Sequence, residues 1–283
     1  MPELPEVQTV VDTISPFVTG KRIKNIDLFR DDIVTPIDID LPQLLRGRTI
    51  KKIWRRAKRI MFELDNANSF YIHLGMSGQL KIASADKPII KHTHLIIHLD
   101  KQQLRFRDPR RFGGVFWLGH NHADDPNLGP EPLDISAPEL QTRLSKTRRA
   151  IKVALMDQSL IAGLGNIYAD EALFDSGIDP RRPANKLSPE QIKKLTHSIK
   201  AVLRAAIEHR GSTLRDYTDA KGRKGKFQKQ HRVYHRTGQA CVTCGGKIQK
   251  IILGGRSTHF CKKCQPRHGA GPSPARNSST KSV

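Results

Sequence analysis

The stretch "RIMFELDNANSFYIHL", residues 59–74, holds two short apolar runs, "RIMFEL" and "SFYIHL", separated by Asp-Asn-Ala-Asn. Runs of this length, rich in Ile, Phe and Tyr and bounded by turn formers, read as strands. Outward in both directions the pattern repeats at "RIKNIDLF" (22–29), "RTIKKIW" (48–54), "THLIIHL" (93–99) and "GGVFWLG" (113–119). Ahead of them, Val7, Val10, Val11, Ile14, Phe17 and Val18 recur at helical spacing, which predicts an amphipathic helix ending near Gly20. One leading helix followed by many strands predicts a β-sandwich covered by that helix. "NHADDPNLGPEPLDISAPE" (121–139) is rich in proline and turn formers and reads as a boundary. Past it the period becomes helical, in "ELQTRLSKTRRAIKVALMD" (139–157) and in "SPEQIKKLTHSIKAVLRAAIEH" (188–209), where Ser188 suits a cap. The fold class is therefore α+β, with a β-rich first half and a helical second half. No internal repeat is visible, and the Gly, Pro and Ser-rich end, 269–283, predicts disorder.

Composition narrows the partner. The 283 residues carry 49 Lys plus Arg against 27 Asp plus Glu, a formal charge of +22, which calls for a polyanion, nucleic acid first. From Lys221 to Val283 there are 15 Lys plus Arg and no acid, a composition suited to phosphate. No apolar run approaches the ~20 residues of a membrane span, and the acidic start lacks a secretory n-region. A soluble intracellular chain, with no membrane partner, is the expectation.

All four cysteines fall in one window, Cys241-x2-Cys244-x16-Cys261-x2-Cys264. Two CxxC knuckles at this spacing supply the four thiolates of a tetrahedral zinc site, and a closed site of this kind holds structure rather than performing chemistry. Between the knuckles, "KIQKIILGGRSTHF" reads as two strands turning at Gly254 and Gly255, with Arg256 just past the tip, placed to meet phosphate. "KHTHLIIHL" sets His92, His94 and His98 on one strand face, which a polar surface explains without a metal.

The first seven residues, "MPELPEV", admit two readings. A proline and nearby acids suit the start of a helix. Alternatively, removal of Met1 would leave Pro2 as a secondary amine, and an α-amino group titrating near ~7.7 is substantially an uncharged nucleophile at neutral pH.

Taken together, "MPELPEV", "RRAKR" (55–59), "HLGMSG" (73–78), "DPRRFGG" (108–114), "GLGNIYADEALF" (163–174) and the terminal CxxC pair resemble, in this order, the formamidopyrimidine-DNA glycosylases, over Met1 to about Gln265. The related endonuclease VIII branch shares the Pro-Glu start and the zinc hairpin, but "ELPEV" and "HLGMSG" are closer to the formamidopyrimidine branch. The resemblance implies an N-terminal catalytic β-sandwich domain (1–135), a helix-two-turn-helix DNA-binding domain with a lesion-covering loop (136–237), a zinc finger (238–265) and a tail (266–283). It implies a monomeric cytoplasmic enzyme, nucleoid-associated through DNA binding, that excises oxidised purines such as 8-oxoguanine and formamidopyrimidines from duplex DNA and nicks the abasic site by β,δ-elimination.

Carried onto this sequence, the resemblance makes Pro2 the nucleophile, Glu3 the acid/base at the sugar ring oxygen, and Lys58 a lysine beside the lesion phosphate, with Glu6 shaping the pocket. His73, Asn166, Tyr234 and Arg256 match phosphate-clamping positions, and Lys152 matches a lysine near the extruded nucleotide. Met76, Arg110 and Phe112 match residues that fill the gap left in the duplex. By composition alone Lys58 reads as part of a solvated basic run, and Met76 and Phe112 as core. One structural zinc is implied, on Cys241, Cys244, Cys261 and Cys264. The chain departs from the family at Lys221, Arg223, Lys224 and Lys226, in the loop that normally covers the everted base, at His235-Arg236, and at His259. A silent zinc-hairpin DNA-binding protein and an amino-terminal-proline isomerase are the alternatives from other classes.

Overall fold

A computed structural model describes residues 1–120 and 125–267. The predicted disorder of 269–283 falls outside the described residues, as does all of the 266–283 tail but its first two positions. The chain divides into two compact units, one of Met1–Ile135, Met156–Gly165 and Lys200–Gln230, the other of Ser136–Leu155, Asn166–Ile199 and the residues from His231 on.

The first unit opens with helix α1, Leu4–Val18. Glu3 is its N-cap, in a reciprocal capping box with Glu6, and the proline of the first turn is Pro5 rather than Pro2. Pro2 thus precedes the helix and has no capping task. Val7, Val10, Val11, Ile14 and Val18 face the core. There they meet two sheets, as one leading helix followed by many strand-like runs predicts. The strands are β1 (Asn25–Leu28), β2 (Val34–Thr35), β3 (Ile50–Arg56), β4 (Arg59–Leu64), β5 (Ser69–His73), β6 (Gln79–Ser84), β7 (Thr93–His98), β8 (Gln102–Arg107) and β9 (Gly114–Gly119); a short helix α2, Leu41–Leu45, lies between β2 and β3. One sheet has the order β1-β7-β8-β6 and the other β2-β9-β5-β4-β3, antiparallel except for the parallel β2–β9 pair. Phe62 and Phe70, cross-strand partners in β4 and β5, stack with ring centroids 4.6 Å apart in the core. The "DNAN" punctuation is the β4–β5 turn, as the opening stretch implied.

In the helical half the run 139–157 is not one helix. It breaks into α3, Ala137–Leu144, and α4, Ile151–Met156. The intervening "SKTRR" lacks apolar residues, and Thr147 takes the Arg149 N–H at 3.3 Å, a local bond that competes with helix. Helix α5 spans Asn166–Ser176 and α6 Pro189–Glu208, the latter capped by Ser188 in a reciprocal pair with Gln191. In the second unit β10, Ile248–Leu253, pairs with β11, Arg256–Cys261, through Gly254 and Gly255, both with positive φ, the conformation a two-residue hairpin turn requires. Among the described residues no helix is long and apolar enough to cross a membrane.

Two adjacent acids of α5 organise the second unit. Asp170 is 1 % exposed; it pairs with Lys152 and accepts from the backbone and the imidazole of His259, at 2.9 and 3.0 Å. Glu171, equally buried, accepts the backbone N–H groups of Arg232, Val233 and Tyr234 at 3.0, 3.0 and 2.8 Å. Burial raises the pKa of Glu171 against the pull of those three donors. Glu171→Ala should therefore destabilise the fold by about 3 kcal/mol or more in urea unfolding, since each buried donor left unpaired costs about 1–3 kcal/mol. A loss below ~1 kcal/mol would show that the donors find water instead.

Candidate active site

In the first unit three separated stretches converge on the amino-terminal turn. Gly163-Leu164-Gly165 forms its seat: the Leu4 N–H donates to the Gly163 carbonyl at 3.1 Å, and a Cβ at Gly165 would lie 2.4 Å from the Glu3 carboxyl carbon. Gln158 holds this seat, accepting from the Gly163 N–H at 2.8 Å and donating to the Leu164 carbonyl at 2.9 Å. From another side, Gly211 and Ser212 close on Glu6. The Glu6 carboxylate accepts from the Glu3 N–H at 2.8 Å and the Ser212 N–H at 2.7 Å, and the Tyr217 hydroxyl donates to the Glu6 carbonyl at 3.2 Å. Gly211, at φ +71, has room for no Cβ, which would sit 2.5 Å from a Glu6 oxygen.

Beside this turn lies a cavity of about 340 Å³ lined by Met1, Lys58, Tyr71, His73 and Gln158 among others. Met1 is 55 % exposed, whereas Pro2 and Glu3 are buried. Lys58 sits in the two-residue turn between β3 and β4, after Ala57 at φ +53. That turn is fastened by Glu131, which accepts from the Ala57 N–H at 2.6 Å and pairs with Arg55 and Arg56 at 2.6 and 3.2 Å. Lys58 is 7 % exposed, so it is no solvated basic residue. The Arg59 guanidinium lies 4.5 Å from the Tyr71 ring centroid and pairs with Asp125. Burial first, then the Lys58 and Arg59 charges, holds the His73 imidazole below its usual pKa. It is therefore neutral near pH 7 and can act as a hydrogen-bond donor to phosphate.

Met76 and Phe112 correct the core reading: they are 42 % and 56 % exposed. Their two loops are joined by Asp108, which accepts from the Ser77 hydroxyl at 2.5 Å and the Gly113 N–H at 2.8 Å. A Cβ at Gly75 would strike the Phe112 backbone at 2.4 Å, so only glycine permits this approach. The exposed Arg110 guanidinium stands 4.8 Å from the Phe112 ring centroid. His92 is exposed at φ +70, outside β7, and its carbonyl takes the Asp108 N–H at 3.0 Å. His94 and His98 bond the Asp108 carbonyl and Asp27, at 2.8 and 2.6 Å, so the three histidines share no metal-like site.

The second unit brings Asn166, Tyr234 and Lys152 together. Asn166 Nδ2 donates to the Ser257 carbonyl at 2.9 Å and approaches the Tyr234 hydroxyl at 3.5 Å. Next to Ser257, Arg256 is exposed at the hairpin turn. Lys152 is fully buried, and its ammonium donates to Asp170 and to the Asn166 carbonyl, at 2.7 Å for the latter. It has no surface to offer a nucleotide, so the direct contact implied for it gives way to holding the first turn of α5 from behind. The four cysteine sulfurs lie within 4.8 Å of one another, with Cys241–Cys264 at 3.8 Å and Cys244–Cys261 at 3.4 Å. Sulfurs about 2.3 Å from a tetrahedral ion stand roughly 3.8 Å apart, so the set fits one structural zinc. The sequence reading gives no role to Gln158, Glu131, Asp108 or Glu171, although the last two lie in quoted motifs, and it takes His92 only as one of three histidines on a strand face.

Comparison with known proteins adds to this geometry. Residues 1–115 match the formamidopyrimidine-DNA glycosylase N-terminal domain, 128–218 its H2TH domain, and 238–267 a zinc finger found in FPG and IleRS. The formamidopyrimidine-DNA glycosylase of Laribacter hongkongensis is 44 % identical over 271 residues, covering 94 % of this chain and all of that protein; the one from Bacillus subtilis is 44 % identical over 279 residues with the same coverage. A Lactococcus lactis Fpg bound to DNA containing an abasic site superposes with a TM-score of 0.88 at 36 % identity, over 94 % of this chain and all of that one; a Lactococcus lactis FPG mutant bound to Fapy-dG containing DNA gives the same values. With the amino-terminal turn, the exposed loop residues and the four-cysteine hairpin each falling within a matched segment, the chain belongs to the formamidopyrimidine-DNA glycosylase family.

Proposed function

We propose that this protein excises oxidised purines, 8-oxoguanine and formamidopyrimidines, from duplex DNA and cleaves the resulting abasic site, working as a monomer in the cytoplasm with the DNA of the nucleoid. The observation that carries the reading is the position of Met1: it is the exposed residue lining the cavity that holds Lys58 and His73, so its removal would open that cavity to the Pro2 nitrogen.

In this reading the Pro2 lone pair attacks C1′ and the bond to the damaged base breaks, the base leaving with the proton that the Pro2 nitrogen sheds. Glu3, fixed against Gly165, gives a proton to the ring oxygen as the sugar opens. The resulting iminium acidifies the 2′ hydrogens. Loss of a 2′ proton expels the 3′ phosphate, and a second elimination expels the 5′ phosphate. Lys58 and neutral His73 hold phosphate beside the reacting sugar, while Met76, Arg110 and Phe112, with His92 adjoining, fill the vacated stack. Asn166, Tyr234 and Arg256 clamp backbone phosphates from the second unit, with Lys152 positioning Asn166. Zinc on Cys241, Cys244, Cys261 and Cys264 closes the hairpin that carries Arg256 and takes no part in the chemistry.

Borohydride added during turnover should leave the protein covalently joined to lesion DNA, with the attachment mapping to Pro2. Retention of Met1 turns that nitrogen into an amide and should abolish both trapping and strand scission while binding persists. Glu3→Gln should lower base excision by about a hundredfold or more. Attachment at Lys58 would contradict the assignment.

Metal analysis should find one zinc per chain. Its removal by chelation should weaken DNA binding more than it lowers the main unfolding transition, because the metal folds only the short hairpin. Equal loss of both would mean that the hairpin supports the whole molecule.

Arg256→Ala should reduce the slope of log affinity against log salt by roughly one, the share of a single phosphate contact. An unchanged slope would mean that Arg256 meets no phosphate.

A further inference from the structure

The basic turn that departs from the family pattern is seated in a defined place. Asp219, 0 % exposed, accepts the N–H groups of Lys221 and Arg223 at 3.0 and 2.9 Å and Arg223 Nε at 2.8 Å. Next to it, the Ala220 carbonyl takes the Ile82 N–H of β6 at 3.2 Å. Lys221 is thereby set over the Phe17 ring, 4.9 Å from its centroid. With Arg210, at φ +59 just past α6, these residues wall a cleft of about 320 Å³ on the side of α1, floored by Thr9, Thr13 and Phe17. The Nε of Arg210 is buried there with no hydrogen-bond partner among the described residues. That nitrogen is itself closed to solvent, so what the cleft offers a ligand is the exposed Lys221 and Arg223 beside the Arg210 side chain, a cationic set that suits an anionic acceptor.

The charges define that acceptor. Arg210, Lys221 and Arg223 face Asp12 and Asp219, which leaves one positive charge uncompensated. The hydroxyls of Thr9 and Thr13 are already donated to backbone carbonyls, at 2.8 and 2.6 Å, so the donors available are the cations. One surplus positive charge suits a singly charged phosphodiester, and the apolar surface of Phe17, Pro16 and Ile207 suits the sugars flanking it. The lining runs along α1 from Thr9 to Phe17, about 8 to 20 Å from the amino-terminal turn at ~1.5 Å per residue, and shares no residue with the cavity that holds Lys58.

We propose that this cleft is a second phosphate site, which takes a backbone phosphodiester of nucleic acid outside the lesion contacts. The choice of nucleic acid as source rests on the function proposed above; the phosphate chemistry rests on the cleft itself.

The test uses the full chain, the double variant Arg210→Gln/Lys221→Gln, and Asp12→Asn. Binding of an undamaged duplex about three helical turns long is followed against potassium chloride, and thermal midpoints are measured with and without inorganic phosphate. The double variant should bind with a salt slope shallower by ~0.9. Asp12→Asn should bind roughly two- to fivefold more tightly, the size of one partly screened charge interaction, and no loss of folding can produce that gain. Parent slope and affinity in both variants would overturn the proposal. Phosphate that stabilises the parent but not the double variant, with DNA slopes unchanged, would assign the cleft to free phosphate and overturn the nucleic-acid source. Borohydride trapping at Pro2 reads the other site, so failure of that reaction alongside a reduced slope would leave this one standing.

Discussion

The carboxylate of Glu6 ties the start of α1 to a segment more than 200 residues later. One oxygen completes the capping box with the Glu3 N–H, and the other holds the Ser212 N–H, at 2.8 and 2.7 Å. Glycines at 165 and 211 allow the two acids to lie against backbone where any Cβ would intrude. The amino-terminal turn is thus fixed in position and direction before any substrate arrives, which is what a reaction at a chain end needs, because a terminus is ordinarily the most mobile part of a domain. A helix start also offers partial positive charge, which favours the carboxylates gathered there.

The same device recurs through this cationic chain. Asp108, Glu131, Asp170, Glu171 and Asp219 each accept backbone N–H groups, and all but Glu131 are nearly or fully buried. Each organises a short segment: the loop of Arg110 and Phe112, the turn of Lys58, the strand β11 at His259, the stretch leading to Tyr234, and the basic turn at Lys221. These acids act as interior fasteners, and Lys and Arg are left in excess on the outside. The charge asymmetry of the sequence is therefore a division of labour, with acids shaping loops and bases meeting phosphate.

Much of this was legible in the sequence. The period of α1, the short apolar runs of β4 and β5, the Ser188 cap and the cysteine spacing each express a local rule, and each element forms where that rule puts it. The elements read less well depend on distant partners. The run 139–157 keeps helical spacing on both sides of residues 145–150, and nothing local shows that Ala150 bridges to Pro183 instead. Met76 and Phe112 have core composition, yet Asp108 and the tight approach at Gly75 hold them out in solvent. Lys152 matched a lysine near the extruded nucleotide, but its partner Asp170 lies 18 positions away and draws it inside. Glu131 and Glu171 could not be singled out, because a carboxylate that receives backbone donors has no signature until the chain is folded.

The central claim is that the Glu6 clamp sets the chemistry by placing the terminal amine. It is tested most directly by the single-turnover rate of borohydride trapping on a preformed abasic duplex, where no base remains to be excised, in Glu6→Gln with Met1 removed. A glutamine still fills the space but confronts one backbone donor with its own amide hydrogens. The account predicts a rate at least about tenfold lower, with zinc content and DNA affinity retained, since small misplacements of reacting groups cost rates of this order. A trapping rate equal to that of the parent would contradict it.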